Sequence, residues 1–295
     1  DDRVMAGFGG VAEYGITVRW DKNFLKIIRL MLERRQEFAM FGGTRFGGSI
    51  SDESAYAMGF DHVALCAGAG KPTILKIPNG LAPGVRQASD FLMGLQLTGA
   101  AKSDSITNLQ VRLPVVVIGG GLTAIDTATE SLAYYAVQVE KFLTRYEILV
   151  TDKGEEAVRA AWLEPEAEIA DEFLTHGQAI RAEKQTAQNE GRAPRILEML
   201  QSWGGAIVAY RRRMIDAPSY TLNHEEITKA MEEGIGFAEL LSPSAIDVDV
   251  AGNACAIQLE KQALSEEGKL SGTGETITLP ARTILVAAGT QPNTV

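Results

Sequence analysis

An apolar run ending in three consecutive glycines constrains this chain more than any other feature: Val115-Val116-Val117-Ile118-Gly119-Gly120-Gly121-Leu122-Thr123-Ala124. An apolar run without polar alternation predicts a strand buried on both faces, as in a parallel sheet covered by helices. Residues Leu122 to Ala128 predict the start of a helix. The turn between them carries G-x-G-x-x-A, with Gly119, Gly121 and Ala124 at the fixed positions. Gly119 permits the tight strand-to-helix turn, and Gly121 lets the backbone approach a pyrophosphate. Ala124 is small enough for close helix–strand packing. The helix N-terminus offers unpaired N–H groups and a positive dipole end to phosphate. Gly119, Gly120, Gly121, Leu122, Thr123 and Ala124 are therefore candidate dinucleotide-binding residues.

At 295 residues the chain is long enough for two domains, and 45% hydrophobic with 22% charged residues is the composition of a globular protein. Its net charge of -10 argues against binding nucleic acid or an anionic membrane surface. No run approaches the ~18 apolar residues of a membrane span. Cys66 and Cys255 form no C-x-x-C, which excludes a local redox disulfide and a cysteine-ligated cluster within the chain. Two separated cysteines fit a reducing, cytoplasmic setting. His62, His176 and His224 have no ligand-like spacing, so no metal site is expected. Both ends read as cut from a longer polypeptide.

Along the chain, residues 1–20 are Gly-rich and loop-like. A helix is expected over Asp21–Glu37, short strands over Phe38–Phe46, and a short helix capped by Ser51 and running to Met58. His62–Cys66 reads as a short buried strand ending at Ala67 and Gly68. An irregular stretch then reaches Pro83-Gly84, followed by a helix over Gln87–Leu97. The nucleotide-binding domain is expected over 113–290, its first helix ending near Tyr135. Residues 137–203, rich in Ala, Glu, Lys and Arg, read as a helical insertion of two or three helices. Gly204–Tyr210 is the next strand and delivers Arg211, Arg212 and Arg213. A helix over His224–Glu233 leads to a strand at Gly236–Leu240. Ala245–Val250, Ala254–Gln262 and Thr276–Leu279 read as a β-meander, with turns at Gly252-Asn253 and Gly272-Thr273-Gly274. Thr283–Ala287 is a final buried strand ending at Ala288 and Gly289, where ligands sit in such sheets.

The arginines bear on cofactor choice. An Asp or Glu after the second strand holds the ribose of NAD, whereas an Arg there accommodates the 2′-phosphate of NADP. Arg211 and Arg212 favour NADP(H). A competing register makes Glu147–Thr151 the second strand and Asp152 a ribose acceptor, which would mean NAD. Three arginines could also be a solvated basic face. Asp126, near the start of the phosphate-binding helix, is explained by the helix dipole as well as by function. No arrangement suggests covalent hydrolysis, and no catalytic residue is assigned.

These segments occur in a recognisable order. Val115–Asp126, then Ala209-Tyr210-Arg211-Arg212, Glu232-Glu233-Gly234-Ile235-Gly236-Phe237, and Val286-Ala287-Ala288-Gly289-Thr290-Gln291-Pro292-Asn293 resemble the small (beta) subunit of glutamate synthase and related FAD-dependent NAD(P)H oxidoreductases. Upstream, Tyr14-Gly15-Ile16 with Arg19 is similar to that family's segment near the flavin, although Thr17 stands where the family has Pro. Phe60–Ala69 resembles its strand-and-turn that approaches the flavin nucleotide. The resemblance implies an α/β fold: a Rossmann-like NAD(P)-binding domain, a parallel sheet plus β-meander, inserted in a partial FAD-binding domain over 1–110, with the helical insertion added.

It implies FAD in the full-length protein, contacted by Gly15, Ala67 and Gly68, and NADP(H) with its nicotinamide half near Ala288 and Gly289. The flavin domain's own glycine fingerprint would lie upstream of Asp1. The implied activity is hydride transfer from NADPH to FAD, with electrons passed to a partner, either a glutamate synthase large subunit or an iron–sulfur protein. A fragment of this extent is expected to bind NADP(H) without turnover. Two other functions stay open at this point: a nucleotide-sensing redox regulator, and an interaction module built on the helical insertion.

Overall fold

The computed structural model describes residues 22–66 and 69–291. Helix α1 spans Lys22–Glu33 and α2 spans Asp52–Ala57. Ser51 caps α2 as its sequence predicts, through a reciprocal pair of bonds with Ser54. Between them, Phe38–Phe46 forms no strand; a single bridge joins Phe46 to Ile50. The expected strand at His62–Cys66 is also absent, and Leu65 is 69% exposed. An apolar pentapeptide becomes a strand only where a neighbour offers pairing and cover, and among the described residues none does so here.

The centre of the molecule is a five-stranded, all-parallel sheet. Strands β1 (Lys71–Pro72) and β2 (Val85–Gln87) precede helix α3 (Ala88–Leu97), and β3 is Val115–Ile118. Helices α4 (Leu122–Lys153), α5 (Glu155–Arg159), α6 (Glu164–Glu190) and α7 (Ile196–Ser202) follow, then β4 (Ala206–Ala209), α8 (Pro218–Glu232) and β5 (Ile235–Ala238). Three antiparallel strands come next, β6 (Leu241–Val248), β7 (Ala254–Leu264) and β8 (Leu270–Pro280), then β9 (Thr283–Val286) and β10 (Thr290–Gln291). The sheet order is β2-β9-β3-β4-β5, with β6-β7-β8 as a separate sheet and β1 paired with β10. This is a Rossmann-like α/β fold. β2 and α3 belong to it although both lie on the far side of the boundary expected near residue 110.

Strand burial explains the apolar run. Val115, Val116 and Val117 are completely buried, each contributing about 2 kcal/mol relative to exposure. Val115 and Val117 enter a core with Ile125, Ala128 and Leu132 of α4, on one face of the sheet. Val116 and Ile118 enter a second core with Ile246, Ile257 and Leu259 of the meander on the other. The period-2 geometry of a strand thus splits one run between two cores.

Helix α4 does not end near Tyr135, where the sequence predicts its end. It continues unbroken for 32 residues to Lys153, about 48 Å at the usual rise per residue. Its second half pairs with the 27-residue α6. Residues 137–203 are therefore an extended helical hairpin plus α5 and α7, and not a separate bundle. Gly177 permits the closest approach, because a Cβ there would lie 2.6 Å from the Val139 carbonyl oxygen. Glu147–Thr151 lies inside α4, which removes the register that made Asp152 a ribose acceptor. Gly204-Gly205 precedes β4, which pairs in register with β3 as the favoured reading requires.

Two boundaries shift elsewhere. α8 begins at Pro218, at the N-terminal position where a missing N–H costs nothing, and is broken at Asn223 (φ -159°, ψ 82°), so the helix expected over His224–Glu233 is its part beyond that kink. The first meander turn falls at Asp249–Asn253 as expected, with Asp249 accepting the Ala251 and Asn253 N–H groups at 2.9 Å each. The second falls at Ser265–Lys269, while Gly272 pairs with Gln262 and residues 273–275 bulge out of β8 before Thr276.

Candidate functional site

The carboxyl ends of β3, β4 and β9 open on one cleft of about 670 Å³. Ligand crevices of parallel α/β sheets lie at this edge. The glycine loop leaves β3 here. Gly119 has φ +153°, and a Cβ on it would collide with the Ala287 carbonyl at the end of β9. The turn is held by hydrogen bonds on both flanks: Gly119 N–H to Ala209 O at 3.1 Å, and Ala287 N–H to Ile118 O at 2.8 Å. A Cβ on Gly120 would collide with the ring of Tyr210. A Cβ on Gly121 would meet nothing within 4 Å, so that residue faces open space at the N-terminus of α4.

Of the sequence-predicted residues, Gly119, Gly120, Gly121, Thr123, Arg211, Ala288 and Gly289 all line this cleft. Leu122 and Ala124 do not. Ala124 is fully buried beneath the helix start, in the close-packing position its size suggests. Gly289, at φ +92°, accepts the Thr73 N–H at 3.0 Å, which ties β10 to β1 along the rim. Gly15, Ala67 and Gly68 lie outside the described residues, as do Tyr14, Ile16, Thr17 and Arg19.

The three arginines after β4 separate. Arg213 is engaged by the Asp216 carboxylate at 2.7 Å, which holds that carboxyl below its ordinary range. The Arg212 guanidinium reaches the Gly268 carbonyl at 3.1 Å, on the turn between β7 and β8. Arg211 lines the cleft, is exposed, and makes no ion pair among the described residues. Among the described lining residues none is acidic, and Arg211 alone is charged. In a chain of net charge -10 this is a local reversal. With the dipole of α4 it makes the cleft attractive to anions. Asp126 is buried at 4% exposure and does not line the cleft.

Several lining residues were not anticipated: Tyr210 as a wall of the loop, Pro218 at the start of α8, Ser242 and Pro243 from β6, and Pro72 and Thr73 from β1. Ser219, just behind the lining, is fully buried against the glycine loop. Only the start of α8 had a local signal, since Ala217-Pro218 is a helix-start dipeptide. The others reach the site through tertiary packing.

No family model matches the sequence. An uncharacterized protein of Rickettsia prowazekii is 40% identical over 304 residues, covering 99% of this chain and 40% of that protein. Among solved structures, FprA of Mycobacterium tuberculosis, an oxidoreductase, aligns over 97% of this chain and 62% of its own. The TM-score is 0.55 at 17% identity, and one of the matched structures holds NADPH. The chain spans less than two thirds of either relative. What the solved structures share with it is the fold. Among the described residues no helix is long and apolar enough to cross a membrane.

Proposed function

We propose that this chain is the NADP(H)-binding portion of a flavin oxidoreductase of the glutamate synthase small-subunit kind. One observation supports the reading above the rest: a glycine loop, a helix N-terminus and an arginine without an ion pair among the described residues converge on a cleft whose described lining holds no acidic side chain. The open space at Gly121 fits a pyrophosphate pressed against main-chain N–H groups. Arg211, beyond β4 and on the cleft lining, would hold the 2′-phosphate, with Arg212 next to it along the chain. Ala288 and Gly289 border the side left for the nicotinamide. When bound, the nicotinamide supplies a hydride donor and requires no protein acid or base. The chain's own task is to bind and orient it and to keep acidic groups away.

Gly15, Ala67 and Gly68 are proposed to contact FAD in the full-length protein, and the electrons are proposed to pass to a glutamate synthase large subunit or an iron–sulfur partner. The separation of the three arginines supports NADP over NAD. Isothermal titration tests this directly. The protein is expected to bind NADP+ more tightly than NAD+. Arg211→Ala should remove about tenfold of the NADP+ affinity, roughly the worth of one charge-assisted phosphate contact. It should leave NAD+ unchanged, while Arg213→Ala should change neither. Equal binding of the two nucleotides by the unaltered protein would overturn the assignment.

A further inference from the structure

Three glycines in a row can adopt many conformations, so something outside the loop must choose one. The choice is visible at the Gly120 carbonyl. Ser219, the second residue of α8 and fully buried, donates to it twice, from its backbone N–H at 3.1 Å and from its hydroxyl at 2.9 Å. The Tyr210 ring closes the other side, too near to leave room for a Cβ. The backbone bond satisfies one of the N–H groups that any helix start leaves without an intrahelical partner.

The consequence follows from peptide geometry. In a planar trans peptide the C=O and the N–H point in opposite directions. With the Gly120 carbonyl locked onto Ser219, the Gly121 N–H of the same peptide points away from Ser219, and Gly121 itself lines the cleft with open space beside it. A flip of this plane would aim the carbonyl oxygen, and its negative end, at an incoming phosphate. We infer that Ser219 is a positioning residue for the anion loop: its double donation to Gly120 keeps the Gly121 N–H turned toward the pyrophosphate. This rests on reading the cleft as an NADP(H) site, but the orientation of the peptide can be tested apart from it.

The experiment has a ligand arm and a ligand-free arm. NADP+ and 2′-AMP, which carries the 2′-phosphate but no pyrophosphate, are titrated into the unaltered protein and Ser219→Ala. Ser219→Ala is expected to weaken NADP+ about fivefold, the worth of one hydrogen bond, and to leave 2′-AMP unchanged. Equal NADP+ affinity in the two proteins, or a parallel loss of 2′-AMP, would overturn the inference. Without ligand, in 15N-glycine-labelled protein, the Gly121 amide should give one resonance that broadens or doubles in Ser219→Ala. An unchanged Gly121 resonance would likewise overturn it. If neither nucleotide binds the unaltered protein, the cleft assignment fails, and the ligand-free arm decides the role of Ser219. Should Ser219→Ala not fold, the Gly121 amide of the unaltered protein is followed instead: NADP+ should shift it and 2′-AMP should not, and the reverse would sink the inference.

Discussion

At the carboxyl ends of β3 and β9 the chain presents a glycine loop, a helix start and an arginine that lacks an ion pair among the described residues. At the amino ends of the same strands it presents two arginines, and both are answered. Arg112 donates to Glu172 at 2.7 Å and Glu168 at 3.1 Å, and Arg282 donates to Glu172 at 2.6 Å. Behind Glu172, the Tyr135 hydroxyl meets His176 Nδ1 at 2.6 Å, and the His176 ring stacks on Trp203 at 3.7 Å. One edge compensates its positive charge internally and ties the helical hairpin to the sheet. The other leaves its charge without an ion pair among the described residues. The contrast separates arginines engaged in holding the fold from an arginine that lines a cleft, a distinction that residue type alone does not carry.

The sharpest way to break this comparison is at the amino edge. Glu172→Ala leaves Arg112, whose side chain is only 9% exposed, with the solvent-facing Glu168 alone, and takes from Arg282 its carboxylate partner among the described residues. Removing one partner of a buried ion pair costs about 3–5 kcal/mol, so the urea midpoint should fall by a corresponding amount. NADP+ affinity of the folded protein should not change. A variant as stable as the parent would show that this edge is not what secures the hairpin.

The matching change at the carboxyl edge is Gly119→Ala, which sets a side chain at φ +153° against the Ala287 carbonyl. Backbone strain of this kind costs roughly 1–3 kcal/mol. Here the loss should appear in NADP+ binding, by more than tenfold, and less in the melting temperature. Unaltered binding would mean that the loop does not contact the nucleotide.

The smallest effect concerns pH. Burial holds the His176 pKa below its ordinary value, opposed by Glu172 and reinforced by Arg282. A base whose folded pKa is depressed binds its proton more readily when unfolded. Its contribution to stability is therefore complete above the unfolded value of about 6.5 and is lost as pH falls from there to the folded value. Melting temperature should drop between pH 7 and pH 5, and His176→Gln should flatten that part of the profile. An identical slope in the variant would place the titration elsewhere.

Much of the parallel-sheet half was legible because its signals are local. β3, the glycine loop, β4, β5 and β9 each lie within a residue or two of expectation, since a doubly buried strand needs an unbroken apolar run and a turn needs its glycine. What failed depended on distant partners. Val63, Leu65 and Cys66 have strand-like side chains but no neighbouring strand among the described residues, so the segment lies exposed. β2, three residues long, became a strand through its pairing with β9, a contact across about 200 positions that no local window contains. The expected end of α4 at Tyr135 confused a change in composition with a change in structure: Ala136, Gln138 and Val139 continue the helical period, and Gln138 bonds both backbone groups of Val111 at 2.9 Å. At the site, sequence supplied the glycines and the arginine cluster. It could not divide Arg211 from Arg212 and Arg213, because Gly268 and Asp216 make that division in space.

The unbroken course of α4 has a geometric consequence. Residues added to a protein through a loop can swing about their point of attachment. Here they lengthen a rod whose other end begins at Gly121, so a small rotation at the cleft is carried rigidly outward. Over about 48 Å, a tilt of roughly 5° displaces the tip by about 4 Å. The hairpin is an arm without an elbow, and its bearing in space is set jointly by the start of α4 at Gly121 and by the ion pairs of Glu172 at the opposite edge.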